Sequence, residues 1–210
     1  MASYFEYREF FTSEEFFRVA NEGHFGHVFL LDVPSNRPNR LEGYLFPDTY
    51  FVPVNPLPGH FITRMLDRFG DIYDEAFHYR ADEIGLSMDE VVIIASIIEA
   101  ETRHDHERAI ISQVIHSRLA SGMRLEMRST VSYVRDIRRD LLTASDLGVE
   151  SPHNTFIVYG LPKGPISNPG EASLRAALYP ADTNYLYFEL ESFEAGTHRF
   201  YTSRGETMGG

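Results

Sequence analysis

The order of apolar and polar positions changes character several times along the chain, and each change predicts an element. Between Thr12 and Ala20 a hydroxyl residue precedes Glu14 and Glu15, while Phe16, Phe17 and Ala20 form one apolar stripe; the pattern predicts a short capped helix. "GHVFLLDVP" is a short apolar run ended by Pro34 and predicts a strand, with "SNRPNR" as the loop that follows. "LEGYLFPDTYFVPVNPLPG" carries four prolines, which fix φ and remove donors, so extended and turned chain is expected. Helices are predicted near 60–69 and near 72–84, the second ended by Gly85.

The clearest helix start is Ser87 with Glu90 three residues later, a capping-box pattern that predicts a helix over 88–102. Its residues Val91, Val92, Ile93, Ile94, Ala95, Ile97 and Ile98 fall on all sides of the cylinder, as expected of a helix in the middle of a domain. A second helix over 105–121 has a half-buried pattern and stops at Gly122. Further on, "TFIVYG" and "NYLYFEL" read as strands, "GLPKGPISNPG" as a loop, "EASLRAALYP" as a short helix stopped by Pro180, and "HRFYTS" as a last strand. The sum is an α+β fold, with mixed helices and short strands around a central buried helix.

Composition narrows the chemistry. The 210 residues, 43% hydrophobic, suffice for a real core. A formal charge of -12 argues against a nucleic-acid partner, since phosphate binding needs clustered Lys and Arg. The absence of Cys removes thiol nucleophiles, thiolate metal sites and disulfides. Lys163, the single Lys, sits in a Gly/Pro-rich turn, which argues against Schiff-base chemistry. No segment approaches the roughly 20 apolar residues that cross a bilayer, and "MASYFEYREFF" has neither the basic start nor the apolar core of a signal peptide.

The oily run "VVIIASII" leads straight into Glu99 and Glu101. At about 100° per residue, Glu99 shares a face with Ala95, Ser96, Thr102 and Arg103, and Glu101 points elsewhere. Two small residues beside Glu99 leave a hollow in which a ligand could lie. The last turn of a helix carries partial negative charge, and partial burial also disfavours a carboxylate, so the position suits a proton donor. An i,i+4 surface ion pair between Glu99 and Arg103, worth about 0.3–0.5 kcal/mol, explains the same letters. Periodicity does not decide between them. His104 and His106 flank Asp105, but i,i+2 positions at a helix start diverge, so no metal site is expected.

The blocks "LEGYLFPDTYFVP", "ASIIEAET", "SRLASGMRLEMRSTVSYV" and "SPHNTFIVYGLPKGPISNPGEASLRAALYPADTNYLYFEL" resemble, in order and spacing, the endolytic murein transglycosylases of the YceG-like family. The resemblance implies cleavage of the β-1,4 MurNAc-GlcNAc bonds of peptidoglycan glycan strands, leaving a 1,6-anhydro end, with Glu99 as acid and then base and with no cofactor or metal. Within and around these blocks Glu42, Ser96, Arg118, Thr130, Tyr133, Asn154 and Thr155 are the candidate glycan contacts, with Glu42 equally suited to stabilising its turn; the aromatic residues are mostly core, and Tyr133 and Tyr159 are the ones expected to stack on sugar. Residues 1–40 would be the remnant of a LysM-like subdomain and 41–210 the catalytic domain. The family's N-terminal membrane helix would lie outside this sequence, placing the protein on the extracytoplasmic face of the cytoplasmic membrane, with cell-wall synthases as further partners. Two alternatives remain: a hydrolase using Glu99 with Glu42, and a non-catalytic glycan-binding or scaffold module. Two positions depart from the family pattern: Ser117 stands where the family often has Asn, and Arg128 where it often has Asp.

Overall fold

The computed structural model describes residues 2–206 apart from 9, 55 and 193; the last four residues of the expected catalytic domain, 207–210, lie outside that range. Among the described residues there are eight α-helices and one two-stranded sheet. In chain order the helices are α1 (Ala2–Tyr7), α2 (Ser13–Glu22), α3 (Pro58–Ile72), α4 (Glu75–Glu83), α5 (Met88–Glu101), α6 (Asp105–Ala120), α7 (Arg128–Arg135) and α8 (Glu171–Leu178). They are followed by the antiparallel hairpin of β1 (Tyr187–Ser192) and β2 (Thr197–Tyr201), with Tyr187 opposite Tyr201.

Helix α5 is the axis of the molecule and packs against α8, α6, α7 and α4. Both halves of the predicted capping box form: the Ser87 hydroxyl accepts from the Glu90 N–H, and the Glu90 carboxylate accepts from the Ser87 N–H. From Val91 to Ile98 every residue is buried, so the helix is held by packing on all sides. Its first turn is tied by Asp89, which takes two hydrogen bonds from Arg37 (2.7 and 2.5 Å) and one from the Tyr44 hydroxyl (2.6 Å). The aromatic residues at the front of the chain share this core: the Phe5 and Phe61 rings lie 4.6 Å apart, and Phe16 and Leu30 are buried with them.

Three expectations are corrected, and two helices are added. The run expected as a strand near 26–34 holds a 3-10 turn, Val28–Leu31; Leu30 and Val33 turn inward and Val28 and Leu31 outward, which a strand's alternation does not allow. "TFIVYG" is a set of turns, because its backbone donors are spent locally: the Ile157 and Val158 N–H groups donate to the Asn154 carbonyl and the Phe156 N–H donates to the Asn154 carboxamide oxygen, leaving none of these for a ladder. The helix expected over 72–84 starts later: α3 continues to Ile72, the chain turns at Tyr73, and Asp74 caps α4 by accepting from the Phe77 N–H. Helices α1 and α7, which no pattern predicted, are short and partly polar.

Candidate functional site

Glu99 stands in the last turn of α5, where the buried stretch ends, and its side chain is 32% exposed. Three donors converge on one of its oxygens, Oε2: the Ser173 hydroxyl at 2.8 Å, the Gly170 N–H at 3.2 Å and Arg108 Nη1 at 3.3 Å. Gly170 is the N-cap of α8, so the positive end of that helix faces the carboxyl group. Arg108, buried in the first turns of α6, also donates to Asp105 (3.0 Å) and to the Ser173 hydroxyl (2.6 Å), which passes the contact on to Glu99. The expected pair with Arg103 is replaced by this one. Oε2 is therefore fixed, and Oε1 is the oxygen left to face a ligand.

The loop that brings Gly170 to this position is pinned to α5. Ser96 is fully buried: its hydroxyl accepts from the Ile166 N–H (3.1 Å), and its carbonyl accepts from the Ser167 hydroxyl (3.0 Å). The hollow expected beside Glu99 is thus filled by the chain's own loop. On the other side of that loop, the Asn168 carboxamide oxygen accepts from the Gly43 and Leu45 N–H groups (2.8 and 3.2 Å). Gly43 has φ +92, and a Cβ there would lie 2.6 Å from Pro165 and 2.7 Å from Val92. Only glycine lets the "LEGY" turn press against both loop and helix.

Glu99 opens on a cleft of about 470 Å³ whose walls include Arg103, Arg138, Leu190 and Gly196. Glu101, Arg139, Asp140 and Leu190 also line a second, adjoining hollow of about 360 Å³, whose walls include Arg128, Phe156 and Tyr187. Glu101 forms part of the floor: it is buried, accepts from the Ser129 N–H (3.1 Å), and is paired with Arg139. Glu126, on the same wall, has φ +51, a strained conformation for a residue with a side chain. The hairpin wall is locked to α6 by Glu107, which accepts from His198 Nδ1 and N–H and from the Thr102 hydroxyl, each at 2.8 Å. Burial pushes the Glu107 carboxyl up, but these donors outweigh it and hold it below the usual value.

Of the other expected contact residues, most support the cleft from behind. Thr130 and Thr155 are fully buried and bond to each other (3.0 Å) and to the Met127 backbone. Asn154, also fully buried, donates to the Leu147 and Val149 carbonyls. With Ser96 these four cannot touch sugar in this conformation, because no surface of theirs is open. Arg118 is buried too, yet lines the second hollow, donates to the Leu125 and Leu186 carbonyls and stacks on Tyr187 at 4.8 Å. Glu42 lines a different cavity of about 190 Å³, with Phe16, Phe17, Asn39 and Asn168, which shares no lining residue with the cleft of Glu99. Its carboxyl is pushed up by burial, with hydrogen bonds from Tyr133 (2.6 Å) and Asn39 pulling back. Tyr133 is half-buried against His153, and exposed Tyr159 carries Arg124 on its face. His104 bonds to the Ala195 carbonyl and so serves the hairpin. Arg128 is exposed on the cleft wall, one edge held by the Leu142 carbonyl at 2.8 Å. Arg108, Gly170 and Ser173 went unpredicted, since nothing local to Glu99 signals donors that arrive from another helix and loop.

The sequence pattern of the YceG-like family matches residues 3–207. An endolytic murein transglycosylase of Bacillus subtilis (strain 168) is 36% identical over 154 residues, covering 72% of this chain and 42% of the relative. One from Streptococcus pneumoniae (strain D39) is 27% identical over 160 residues, covering 74% of this chain and 29% of the relative. The chain thus spans less than half the length of these relatives. A crystal structure of a yceG-like protein from Listeria monocytogenes superposes with a TM-score of 0.83 at 30% identity, over 97% of this chain and 69% of that one.

Proposed function

The chain belongs to the YceG-like family, and from that premise we propose that it cleaves peptidoglycan glycan strands as an endolytic lytic transglycosylase, with Glu99 as the single catalytic acid and base. The observation that carries this reading is the convergence of three donors on Glu99 Oε2 at the mouth of an open cleft. In the neutral acid Oε2 is the carbonyl oxygen, and the proton sits on Oε1, directed at substrate. Oε1 gives that proton to the glycosidic oxygen as the C1–O4 bond breaks, and the resulting carboxylate takes the proton of the MurNAc C6 hydroxyl while O6 bonds to C1. The proton returns to Glu99, and no water enters the product. Gly170, Ser173 and Arg108 stabilise the carboxylate formed between the two steps without reorganising.

The two-carboxylate alternative takes Glu42 as the second group, and Glu42 faces another cavity that shares no lining residue with the cleft of Glu99. The site of action follows from the substrate: the extracytoplasmic side of the membrane, where the glycan strands lie. The test is incubation with uncrosslinked strands followed by mass spectrometry. Products one water lighter than hydrolysis products are expected from the wild type and not from Glu99→Gln. Reducing ends instead would refute the transglycosylase step, and unchanged cleavage by the variant would refute the role of Glu99.

A further inference from the structure

The charge of the cleft is opposite to that of the molecule. The chain carries a formal charge of -12, yet seven arginines against five carboxylates line the two adjoining hollows. Four of those carboxylates are matched one to one: Glu99 with Arg108, Glu101 with Arg139, Glu126 with Arg118 and Asp140 with Arg138. Among the described residues, no carboxylate lies within ion-pair distance of Arg103 or Arg128, both exposed. One stands in the hollow of Glu99 and the other in the adjoining one. Neither is a freely waving side chain. Arg103 folds against the hairpin backbone at Gly196, where a Cβ would lie 3.1 Å from its Nε, and Arg128 is anchored by the Leu142 carbonyl. Positioned guanidinium groups in a concave wall attract and orient carboxylates by charge-assisted hydrogen bonds, and a local positive region in an acidic protein focuses the field there.

We propose that Arg103 and Arg128 bind carboxylate groups of the substrate, making the cleft selective for strands whose carboxylates are free over the same strands with amidated, neutral ones. The inference rests on the glycan-strand reading above and names the anionic group within it. Two sources share this chemistry: the peptide stems and the lactyl group exposed when the stem is removed.

The test uses three preparations of uncrosslinked strands: with free stem carboxylates, with all carboxylates converted to methylamides, and with stems removed so that only lactyl carboxylates remain. Cleavage is read as kcat/KM, and binding as Kd on a Glu99→Gln background. Wild type is expected to favour free over amidated strands by about tenfold, or about 1.4 kcal/mol. In Arg103→Gln/Arg128→Gln that ratio should fall toward one, with each single variant between. In intact strands the lactyl group is held as the amide to the stem and carries no charge, so the free-over-amidated ratio reads the stem carboxylates. Stripped strands handled as well as free-stem strands show that the lactyl carboxylate is taken too, and stripped strands handled as poorly as amidated ones restrict the site to the stem. A wild-type ratio below about twofold, or a ratio unchanged in the double variant, overturns the inference. If nothing is cleaved but the Kd ratio behaves as described, the inference stands and the transglycosylase reading falls.

Discussion

Glu99 and Glu107 stand on neighbouring helices, and each is held by three donors that include a residue from a distant segment. They differ in how those donors are shared out. Glu107 receives them on both oxygens, from His198 and Thr102, and its side chain is only 3% exposed. Glu99 receives all three on Oε2 and keeps a third of its side chain open to the cleft. A carboxylate saturated on both oxygens is a tie between elements. One gripped by a single oxygen is oriented and still has an atom with which to do chemistry. The count of partners is therefore a poor guide to function, and their distribution over the two oxygens a better one.

The sharpest way to break the comparison is Glu99→Gln, which keeps size and the Oε2-type acceptor but removes the exchangeable acid. Cleavage measured as kcat/KM should drop by about 10³-fold, within the span typical of general acid–base groups, while the thermal midpoint stays within a few degrees. The complementary change is Glu107→Ala. It leaves buried His198 without its partner and should destabilise the fold by about 3–5 kcal/mol in urea titration, with cleavage falling only as far as the hairpin wall loosens. The pH dependence has a definite sign. Because the folded protein holds Glu107 below its ordinary value of 4.5, the stabilisation is complete above that value and is lost as pH falls through the lower folded one. Glu107→Gln should flatten that acid limb.

Ser173→Ala probes a smaller step. It removes the 2.8 Å donor to Oε2 and the acceptor for Arg108 Nη1, leaving Gly170 and Arg108 in place. A hydrogen bond to a charged group is worth about 1.5–3 kcal/mol net, so kcat/KM should fall by about tenfold to a hundredfold. A loss as large as that of Glu99→Gln would mean that Ser173 itself carries a proton.

What the sequence reveals and what it hides divide along the same line between local and distant contacts. The α5 cap is legible because Ser87 and Glu90 answer each other three residues apart, and the burial of α5 is legible because its apolar residues lie on all sides. The tilt of Glu99 toward Gly170 and Ser173 is not, since it depends on where a loop some seventy residues later is pinned by Ser96 and Asn168. The same gap misplaces Asn154, Thr155 and Thr130: polar residues in a block that resembles a glycan-cutting family look like ligand contacts, while their hydrogen bonds run to backbone behind the cleft. Short apolar runs such as 28–31 mislead for a different reason: the same letters suit one turn of 3-10 helix or a brief strand, and only which of them turn inward separates the two.

The smallest expected effect concerns Glu42, a third kind of carboxyl: partly enclosed, bonded to Tyr133, and away from the cleft. Burial raises its folded value above the ordinary 4.5, so the folded protein binds this proton more tightly than the unfolded chain. The sign is the reverse of that at Glu107: stability contributed by the protonated form is complete below 4.5 and declines as pH rises through the raised folded value. Glu42→Gln retains an acceptor for the Tyr133 hydroxyl and cannot ionise, so its urea midpoint should stay level across that window while the wild type declines. With a single acid at Glu99, cleavage by this variant should stay within about twofold of wild type; a fall of about 10²-fold would instead place Glu42 in the chemistry and revive the two-carboxylate mechanism.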